Sequence, residues 1–225
     1  MEHLEKLRKS ALFKEINAVQ LKGFYFITDH QLSQNGSFKD VQLAIKAGVT
    51  IVQFREKVRK KQDYISELRE IKSLCQENNV ALIINDNLEL TIEIEADGIH
   101  IGQGDMPLDV TQKALGKDKI IGVSTGTIEE ALDAEKDRCS YIGVGSIFPT
   151  KTKKKNQSPL GVIKLKEFKQ KLTLPIVAIG GINFSNGESV INTGVDMICA
   201  ISQSLKDGKV TENIENFNEI FRRFL

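Results

Sequence analysis

From Gly23 onward, short apolar runs alternate with longer segments whose apolar residues recur at helical spacing. The apolar runs predict eight β-strands, at residues 24–28, 50–54, 81–84, 98–101, 120–123, 141–144, 176–179 and 197–201. The amphipathic segments predict eight helices, at residues 38–47, 62–78, 88–93, 108–115, 128–136, 162–171, 184–192 and 211–224. Strands that alternate with helices pair in parallel, and runs this apolar are typical of a parallel sheet buried on both faces.

Eight such units in about 200 residues predict an α/β fold with a single (β/α)8 TIM barrel. The alternative is an open doubly wound sheet, which normally carries G-x-G-x-x-G after its first strand, whereas this chain reads Asp29-His30-Gln31 there. Because no change of composition divides the chain, we expect residues 21–225 to form one barrel domain. Apolar residues within positions 1–20 recur near helical spacing and predict an extra N-terminal helix.

The composition narrows the classes of protein to which the chain can belong. With 31 basic and 30 acidic side chains among 225 residues, the formal net charge is +1, which argues against a broadly basic nucleic-acid-binding protein. Apolar runs are too short for a membrane span, and the charged N-terminus lacks the apolar stretch of a secretory signal. The three cysteines, Cys75, Cys139 and Cys199, are far apart, which predicts reduced thiols in a cytoplasmic protein.

The first candidate site follows the second predicted strand, where the chain reads Gln53-Phe54-Arg55-Glu56-Lys57. In a (β/α)8 barrel the chemistry takes place at the carboxyl ends of the strands. Gln53, Arg55 and Lys57 alternate, so on extended backbone they project to the same side. An amide, a guanidinium and an ammonium group together suit a diphosphate. The alternative is a solvated cluster of charges at the start of a helix.

Two aspartates follow the next two predicted strands. Asp86 lies in Asn85-Asp86-Asn87, and Asp105 ends the segment 102–105. Neighbouring strand ends would bring both carboxylates close enough to share one hard cation, and Mg²⁺ at a phosphate site commonly takes one or two carboxylates. Each aspartate alone could instead cap the helix that follows it. Their coincidence predicts a magnesium site.

Hydroxyl, basic and glycine residues follow the later strands. Ser124 ends the fifth strand, and the loop 145–155 after the sixth is long, basic and hydroxyl-rich, as expected of a flap that closes over an anion. Gly180-Gly181 and Ser202 end the seventh and eighth strands, where these barrels commonly bind a phosphate. Two anion pockets indicate a transferase for two phosphorylated substrates. Neither a Cys–His nor a Ser–His pair is indicated, because none of the three histidines has a sequence clue to a partner.

Several motifs together resemble the thiamine-phosphate synthase family. These are GVTIVQFREK at 48–57, IND at 84–86, ADGIHIGQGDMP at 96–107, YIGVG at 141–145 and FPTKTK at 148–153. They occur in the order of the family between about residues 23 and 204. The resemblance implies a (β/α)8 barrel that joins hydroxymethylpyrimidine diphosphate to a thiazole phosphate, or to its carboxylate form, with release of pyrophosphate and a requirement for Mg²⁺.

The resemblance also implies roles for individual residues. The pyrimidine diphosphate would be bound by Gln53, Phe54, Arg55, Glu56, Lys57, Asn85, Ser124 and Lys153, of which Arg55, Lys57, Ser124 and Lys153 would be catalytic. The magnesium ion would be held by Asp86 and Asp105. The thiazole phosphate would be bound by Thr150, Lys151, Thr152, Gly181, Ile201 and Ser202. In this family pyrophosphate leaves first, and the thiazole nitrogen then captures the pyrimidine cation.

One departure from the family matters for function. Gly126 stands where family members usually carry histidine. That change argues against the related thiazole tautomerases, which resemble this fold but depend on a histidine at that place. A non-catalytic sensor of phosphorylated ligands is a further alternative, although it would not need a complete set of leaving-group residues. The expected partners are small molecules, with neither nucleic acid nor membrane, and a homo-oligomer is left open.

Overall fold

The strands of the protein pair in parallel within one sheet, in a computed structural model that describes residues 20–116, 118–150 and 158–224. The strands are β1 (Gly23–Phe24), β2 (Phe26–Ile27), β3 (Ile51–Phe54), β4 (Ala81–Asn85), β5 (Gly98–Ile101), β6 (Ile120–Thr125), β7 (Tyr141–Val144), β8 (Ile176–Ile179) and β9 (Met197–Cys199). The helices are α1 (Ser37–Lys46), α2 (Lys61–Glu77), α3 (Leu88–Glu93), α4 (Leu108–Leu115), α5 (Ile128–Lys136), α6 (Gly161–Lys171), α7 (Gly187–Ile191), α8 (Ile201–Ser204) and α9 (Val210–Arg222), with a 3₁₀ turn at Lys206–Gly208. The structure does not describe residues 1–19, so the helix predicted within residues 1–20 and the domain boundary after it stay predictions.

The first predicted strand closes the sheet into a barrel. It is divided into β1, which pairs with β9, and β2, which pairs with β3. Between the two, the backbone N–H of Tyr25 donates to the carbonyl of Ile198 at 2.9 Å. One extended segment therefore bonds to the strands on both sides of it. The (β/α)8 barrel prediction is confirmed. Because β1 and β2 together occupy one position, the nine strands form a closed ring of eight.

Alternate side chains of the strands build two cores. The inward-pointing side chains fill the barrel interior, and they are Tyr25, Ile27, Ile51, Ala81, Ile83, Ile120, Tyr141, Val177, Met197 and Cys199. The outward-pointing side chains pack under the helices, where the ring of Phe54 lies 5.6 Å from that of Tyr64 in α2. Burial on both faces is the physical reason why the strands read as continuous apolar runs.

Among the predicted elements whose bounds differ from those observed, two differ for a clear local reason. The strand predicted at 197–201 ends at Cys199 because Ile201 already begins the short helix α8. The helix predicted at 184–192 begins only at Gly187. The preceding turn is held by the side chains of Asn183 and Asn186, which accept from backbone N–H groups at 2.9 and 2.8 Å and so compete with helical bonding.

Helix α5 begins as its sequence predicts. The hydroxyl of Thr127 accepts from the N–H of Glu130, and the Glu130 carboxylate accepts in return from the N–H of Thr127, forming a capping box. The same carboxylate accepts from the N–H of Gly126 at 2.6 Å, so the backbone at this departure from the family is tied to α5. None of the helices in the described ranges is long and apolar enough to cross a membrane.

Candidate active site

A cavity opens at the carboxyl ends of the strands. Its lining includes many of the residues predicted to form the site: Gln53, Arg55, Asn85, Asp86, Ser124, Thr150, Gly181, Ile201 and Ser202. They belong to or follow six different strands, β3, β4, β6, β7, β8 and β9, so closure of the barrel is what brings them together. The predicted residues Lys151, Thr152 and Lys153 lie outside the described residues. The cavity thus unites polar groups that are distant in sequence at the end of the barrel where catalysis is expected.

Arg55 is held at the cavity by the loop that follows β2. Its Nη1 donates to Oδ2 of Asp29 at 2.8 Å, and its backbone N–H donates to the hydroxyl of Thr28 at 2.9 Å. Asp29 is itself fixed, because its other carboxylate oxygen accepts from the N–H groups of Gln31 and Leu32. These bonds use part of the guanidinium and leave further N–H groups for an anion.

Lys57 connects the basic segment to the predicted metal ligands. Its Nζ donates to Oδ2 of Asp86 at 2.6 Å. Burial by itself opposes ionisation of Asp86, but the hydrogen bond and positive charge of Lys57 outweigh it and hold the pKa of Asp86 below its ordinary value. Burial, aided by the adjacent Asp86 carboxylate, raises the pKa of Asp105. The negative charge of Asp86 is thus one of the causes that disfavour ionisation of Asp105.

Neither Asp86 nor Asp105 caps a helix, so the alternative that these residues serve only as helix caps is excluded. Asn87 caps α3, since its side chain accepts from the N–H of Leu90 at 2.9 Å. Helix α4 begins after Pro107 without a side-chain cap, while Asp105 accepts from the N–H of Gly102 at 2.6 Å. Two mutually repelling carboxylates at a cavity mouth would gain from a shared hard cation.

The donor set therefore fits Mg²⁺, with some ligands to come from elsewhere. Within the described ranges no cluster of three or more Asp, Glu, His or Cys side chains could hold a metal ion. Two carboxylates suffice when water and phosphate oxygens complete the coordination, which is how Mg²⁺ commonly binds beside phosphorylated substrates. Asn85 lies at the same strand end, and its buried Nδ2, which has no hydrogen-bond partner among the described residues, is a donor available to a substrate and not to the metal.

The structure does not bring the side chains of Phe54 and Glu56 to the cavity. Phe54 is 2% exposed and lies in the outer core. Glu56 pairs with Nε of Arg59 at 2.5 Å and accepts from the N–H of Val58 at 2.8 Å. Burial opposes ionisation here as well, but the bonds from Arg59 and Val58 lower the pKa of Glu56 to about 2. Successive side chains of extended backbone point to opposite sides. Phe54 and Glu56 alternate with Gln53, Arg55 and Lys57 and therefore point away from them.

Gly180 and Gly181 allow a close approach between two loops. Both have positive φ, at 100° and 67°. A Cβ at Gly181 would lie 2.5 Å from the carbonyl oxygen of Pro149, and one at Gly180 would lie 2.6 Å from Cβ of Ser146. The glycine pair is thus required by the loop after β7, and it also leaves the backbone at Gly181 open to the cavity.

Sequence analysis missed a Ser–His pair and two tyrosines at the cavity floor. The imidazole Nε2 of His100 lies 2.9 Å from the hydroxyl of Ser124, so the expectation that no such pair exists was wrong. The Nδ1 atom lies 3.0 Å from the hydroxyl of Tyr141, and Tyr141 bonds to Tyr25 at 2.6 Å. The local signal for this network is a polar side chain within an otherwise apolar strand, such as His100 in β5 or Ser124 in β6, and this signal is weak. A serine hydrolase would place a carboxylate rather than a phenol against Nδ1.

Comparison with known proteins covers nearly the whole chain. The sequence profile of the thiamine monophosphate synthase family matches residues 24–203. A thiamine-phosphate synthase of Methanosarcina barkeri is 43% identical over 216 residues, which cover 96% of this chain and 95% of that protein. One of Clostridium novyi is 45% identical over 187 residues, covering 83% and 92%. The solved structure of a thiamine phosphate pyrophosphorylase from Pyrococcus furiosus aligns with a TM-score of 0.83 at 31% identity, covering 92% and 98%. The matched range contains all the cavity residues named above.

Proposed function

The chain belongs to the thiamine monophosphate synthase family and synthesises thiamine phosphate, and we propose that it does so by joining 4-amino-2-methyl-5-hydroxymethylpyrimidine diphosphate to a thiazole phosphate or its carboxylate form. Pyrophosphate is the other product, and the carboxylate form would in addition lose its carboxyl group as CO2. The observation that carries this assignment is the contact of Lys57 with Asp86 at 2.6 Å, beside Arg55 at the same mouth. Cations and paired carboxylates at one point suit a diphosphate leaving group with its metal.

In this proposal the diphosphate lies against Arg55 and Lys57. Arg55 offers a fork of N–H donors, and Lys57 adds the point charge of its ammonium to the phosphate oxygens. Lys153 adds a third cation from the loop after β7. The pyrimidine ring lies deeper, between Gln53, Asn85 and Ser124, whose side chains line the cavity.

The thiazole phosphate binds at the opposite side of the mouth. Thr150, Gly181, Ile201 and Ser202 line the cavity there, and we assign Lys151 and Thr152 to the same pocket. Hydroxyl groups and exposed backbone N–H groups are the donors that a phosphate monoester needs. Two anions held on separate sides would bring the thiazole nitrogen and the reacting carbon of the pyrimidine face to face.

Asp86 and Asp105 would hold magnesium, and the donor set fits it as described above. A bound Mg²⁺ would neutralise part of the diphosphate charge and favour its departure. The residue contribution is similar in kind: Arg55, Lys57 and Lys153 stabilise negative charge as it grows on the leaving group.

The proposed reaction needs no side chain to act as a general acid or base. The bond between the hydroxymethyl carbon and the diphosphate oxygen breaks, and its electron pair leaves with pyrophosphate. The thiazole nitrogen then supplies the electron pair for the new C–N bond. Because no proton must be removed from the thiazole nitrogen, the side chains act by positioning and electrostatics. Ser124 accordingly serves as a hydrogen-bonding group to the pyrimidine and not as a nucleophile.

Replacing one metal ligand tests the proposal. We expect Asp86→Ala to lower Mg²⁺-dependent formation of thiamine phosphate by about 100-fold or more, as loss of a group that stabilises a developing charge typically does. The matched control is Asp109→Ala, because Asp109 is an exposed aspartate on α4 that pairs with Lys113. Full turnover by D86A, with D109A also unaffected, would contradict the assigned site.

A further inference from the structure

Five side chains form an unbroken line of hydrogen bonds beneath the cavity. Gln53 Nε2 donates to the hydroxyl of Tyr25 at 2.9 Å, and that hydroxyl lies 2.6 Å from the hydroxyl of Tyr141. His100 continues the line, with Nδ1 at 3.0 Å from Tyr141 and Nε2 at 2.9 Å from Ser124. The line crosses the lumen, since it runs from β3 to β6 through strands that are not neighbours. Its two ends, Gln53 and Ser124, line the cavity, and so do Tyr25 and His100 at the cavity floor.

The strands are built around this line. Gly122 leaves space for Tyr141, because a Cβ there would lie 2.1 Å from the ring carbon that bears the hydroxyl. Gly143 does the same for His100, where a Cβ would lie 3.1 Å from Cε1. Both glycines face inward on β6 and β7. The network is therefore a packed feature of the barrel and not an accident of two mobile side chains.

Burial keeps the two phenols in their neutral form. Tyr25 is 1% exposed and Tyr141 is 0% exposed. Desolvation raises the pKa of each well above its ordinary value. Each hydroxyl thus has one hydrogen to donate and can accept from the other side. A buried hydroxyl hydrogen without a partner is costly, so the arrangement that pairs every hydrogen is favoured.

That requirement and the orientation of the Gln53 amide, whose Nε2 faces Tyr25, together fix the direction of the line. The Tyr25 oxygen accepts from Gln53, and within the described residues Tyr141 is its one other partner, so Tyr25 donates to Tyr141. Tyr141 must then donate its own hydrogen onward to Nδ1 of His100. A neutral imidazole that accepts at Nδ1 carries its hydrogen at Nε2 and donates it to Ser124. The hydroxyl hydrogen of Ser124 is left for the cavity, as is the amide oxygen of Gln53.

We infer that Tyr25, Tyr141 and His100 are positioning residues that make the cavity present an acceptor at Gln53 and a donor at Ser124. This pattern complements an aminopyrimidine, whose amino group donates and whose ring nitrogens accept. It opposes an oxopyrimidine, in which a carbonyl accepts and the neighbouring ring N–H donates. The inference rests on the proposed function, because it concerns recognition of the pyrimidine substrate. It assigns to Tyr25, Tyr141 and His100 the control of which atoms Gln53 and Ser124 offer to that substrate.

The hydrogen position on His100 provides a direct test in the wild-type protein. Nitrogen-15 NMR of histidine-labelled protein distinguishes the two neutral tautomers, and His100→Gln identifies the His100 signals among those of the three histidines. We expect a hydrogen on Nε2 and none on Nδ1. The Nδ1–H tautomer, or a doubly protonated ring at neutral pH, would overturn the inference.

Removing one hydroxyl tests whether the direction of the line controls ligand choice. In Tyr141→Phe, Tyr25 is no longer committed as a donor to Tyr141 and can donate to the Gln53 oxygen, so that the amide turns its N–H₂ toward the ligand. Calorimetry would give Kd for unreactive amino- and oxopyrimidine analogues in which a methylene replaces the ester oxygen of the diphosphate. We expect the preference for the amino analogue to fall by about tenfold or more, the effect of one mispaired hydrogen bond.

Tyr64→Phe is the matched control, because Tyr64 packs against Phe54 in the outer core and its ring lies outside the line. Its preference should stay within about twofold of the wild type. If Y141F does not fold, Tyr25→Phe removes the partner of Gln53 and should reduce the same preference. An unchanged preference in a folded Y141F or Y25F would overturn the inference alone, provided the wild type makes product. A wild type that makes no thiamine phosphate would overturn both the inference and the proposed function.

Discussion

At the scale of single residues, Arg55 is held in place by neighbouring residues, as we expect of a side chain that binds an anion. Asp29 holds one guanidinium nitrogen at 2.8 Å, and Thr28 fixes the backbone at the same residue. The side chain is 21% exposed, so it can still meet a ligand in the cavity. The planar fork allows Arg55 to keep this support and to bind phosphate oxygens at the same time.

Arg55→Lys should therefore be far from conservative. A lysine ammonium cannot bond Asp29 and also bind the diphosphate as a fork, so we expect kcat/KM for the pyrimidine diphosphate to fall by about tenfold or more. Steady-state kinetics would measure this. Arg69→Lys is the matched control, because Arg69 on α2 is 63% exposed and lies 3.7 Å from Glu93. Equal kinetics for R55K and the wild type would show that Arg55 does not bind the diphosphate.

The residues at the cavity differ in how well sequence could predict them. Gln53, Asp86 and Ser124 stand at the ends of apolar runs, so their place in the barrel follows from counting strands. Tyr141 and Tyr25 are 116 positions apart and touch across the lumen, a contact that only the closed ring creates. Within its own strand each tyrosine looks like an ordinary core residue. The network therefore had only a weak local pattern, which did not suffice to predict it.

At the scale of elements, strand ends and loops are coupled by backbone proximity. Three predicted helices, at 88–93, 108–115 and 128–136, have the observed bounds, because apolar spacing marks where helices pack. The sequence of Gly180-Gly181 predicted a phosphate site but not the loop that touches it. The Pro149 carbonyl lies against Gly181 only because β7 and β8 pair side by side. The sequence of either segment alone therefore gives no sign of this contact.

Gly181→Ala should disturb this contact between loops. The added Cβ would meet the Pro149 carbonyl at 2.5 Å in addition to the strain of positive φ. The matched control is Gly48→Ala, which has a φ of 84° and open space around the added atom. In urea unfolding we expect G48A to cost about 1 kcal/mol and G181A at least about 1 kcal/mol more.

The same variant should affect the thiazole pocket. A displaced loop after β7 would move Thr150, so KM for the thiazole phosphate should rise in G181A and stay unchanged in G48A. If the two variants lose equal stability and keep wild-type KM values, the close approach at Gly181 has no role in the structure or the site.

At the scale of the whole molecule, the barrel concentrates charge that the chain as a whole balances. The net charge of +1 conceals a cluster of charges in which Arg55 and Asp86 line one cavity and Lys57 bonds to Asp86. Closure by the divided first strand makes this possible, because it turns eight separate strand ends into one ring of side chains. A single ring of strand ends suits the proposed pair of anion pockets for two phosphorylated substrates.

The most direct test is the stoichiometry of the wild-type reaction. Purified protein would be supplied with the pyrimidine diphosphate, the thiazole phosphate and Mg²⁺, and then with each omitted in turn, while pyrophosphate and thiamine phosphate are measured. We expect equal amounts of the two products, and neither when a substrate is omitted or the metal is chelated. Conversion of a thiazole carboxylate phosphate without use of the diphosphate would indicate a tautomerase, and binding of both substrates without turnover would indicate a sensor. Either result would contradict the assignment.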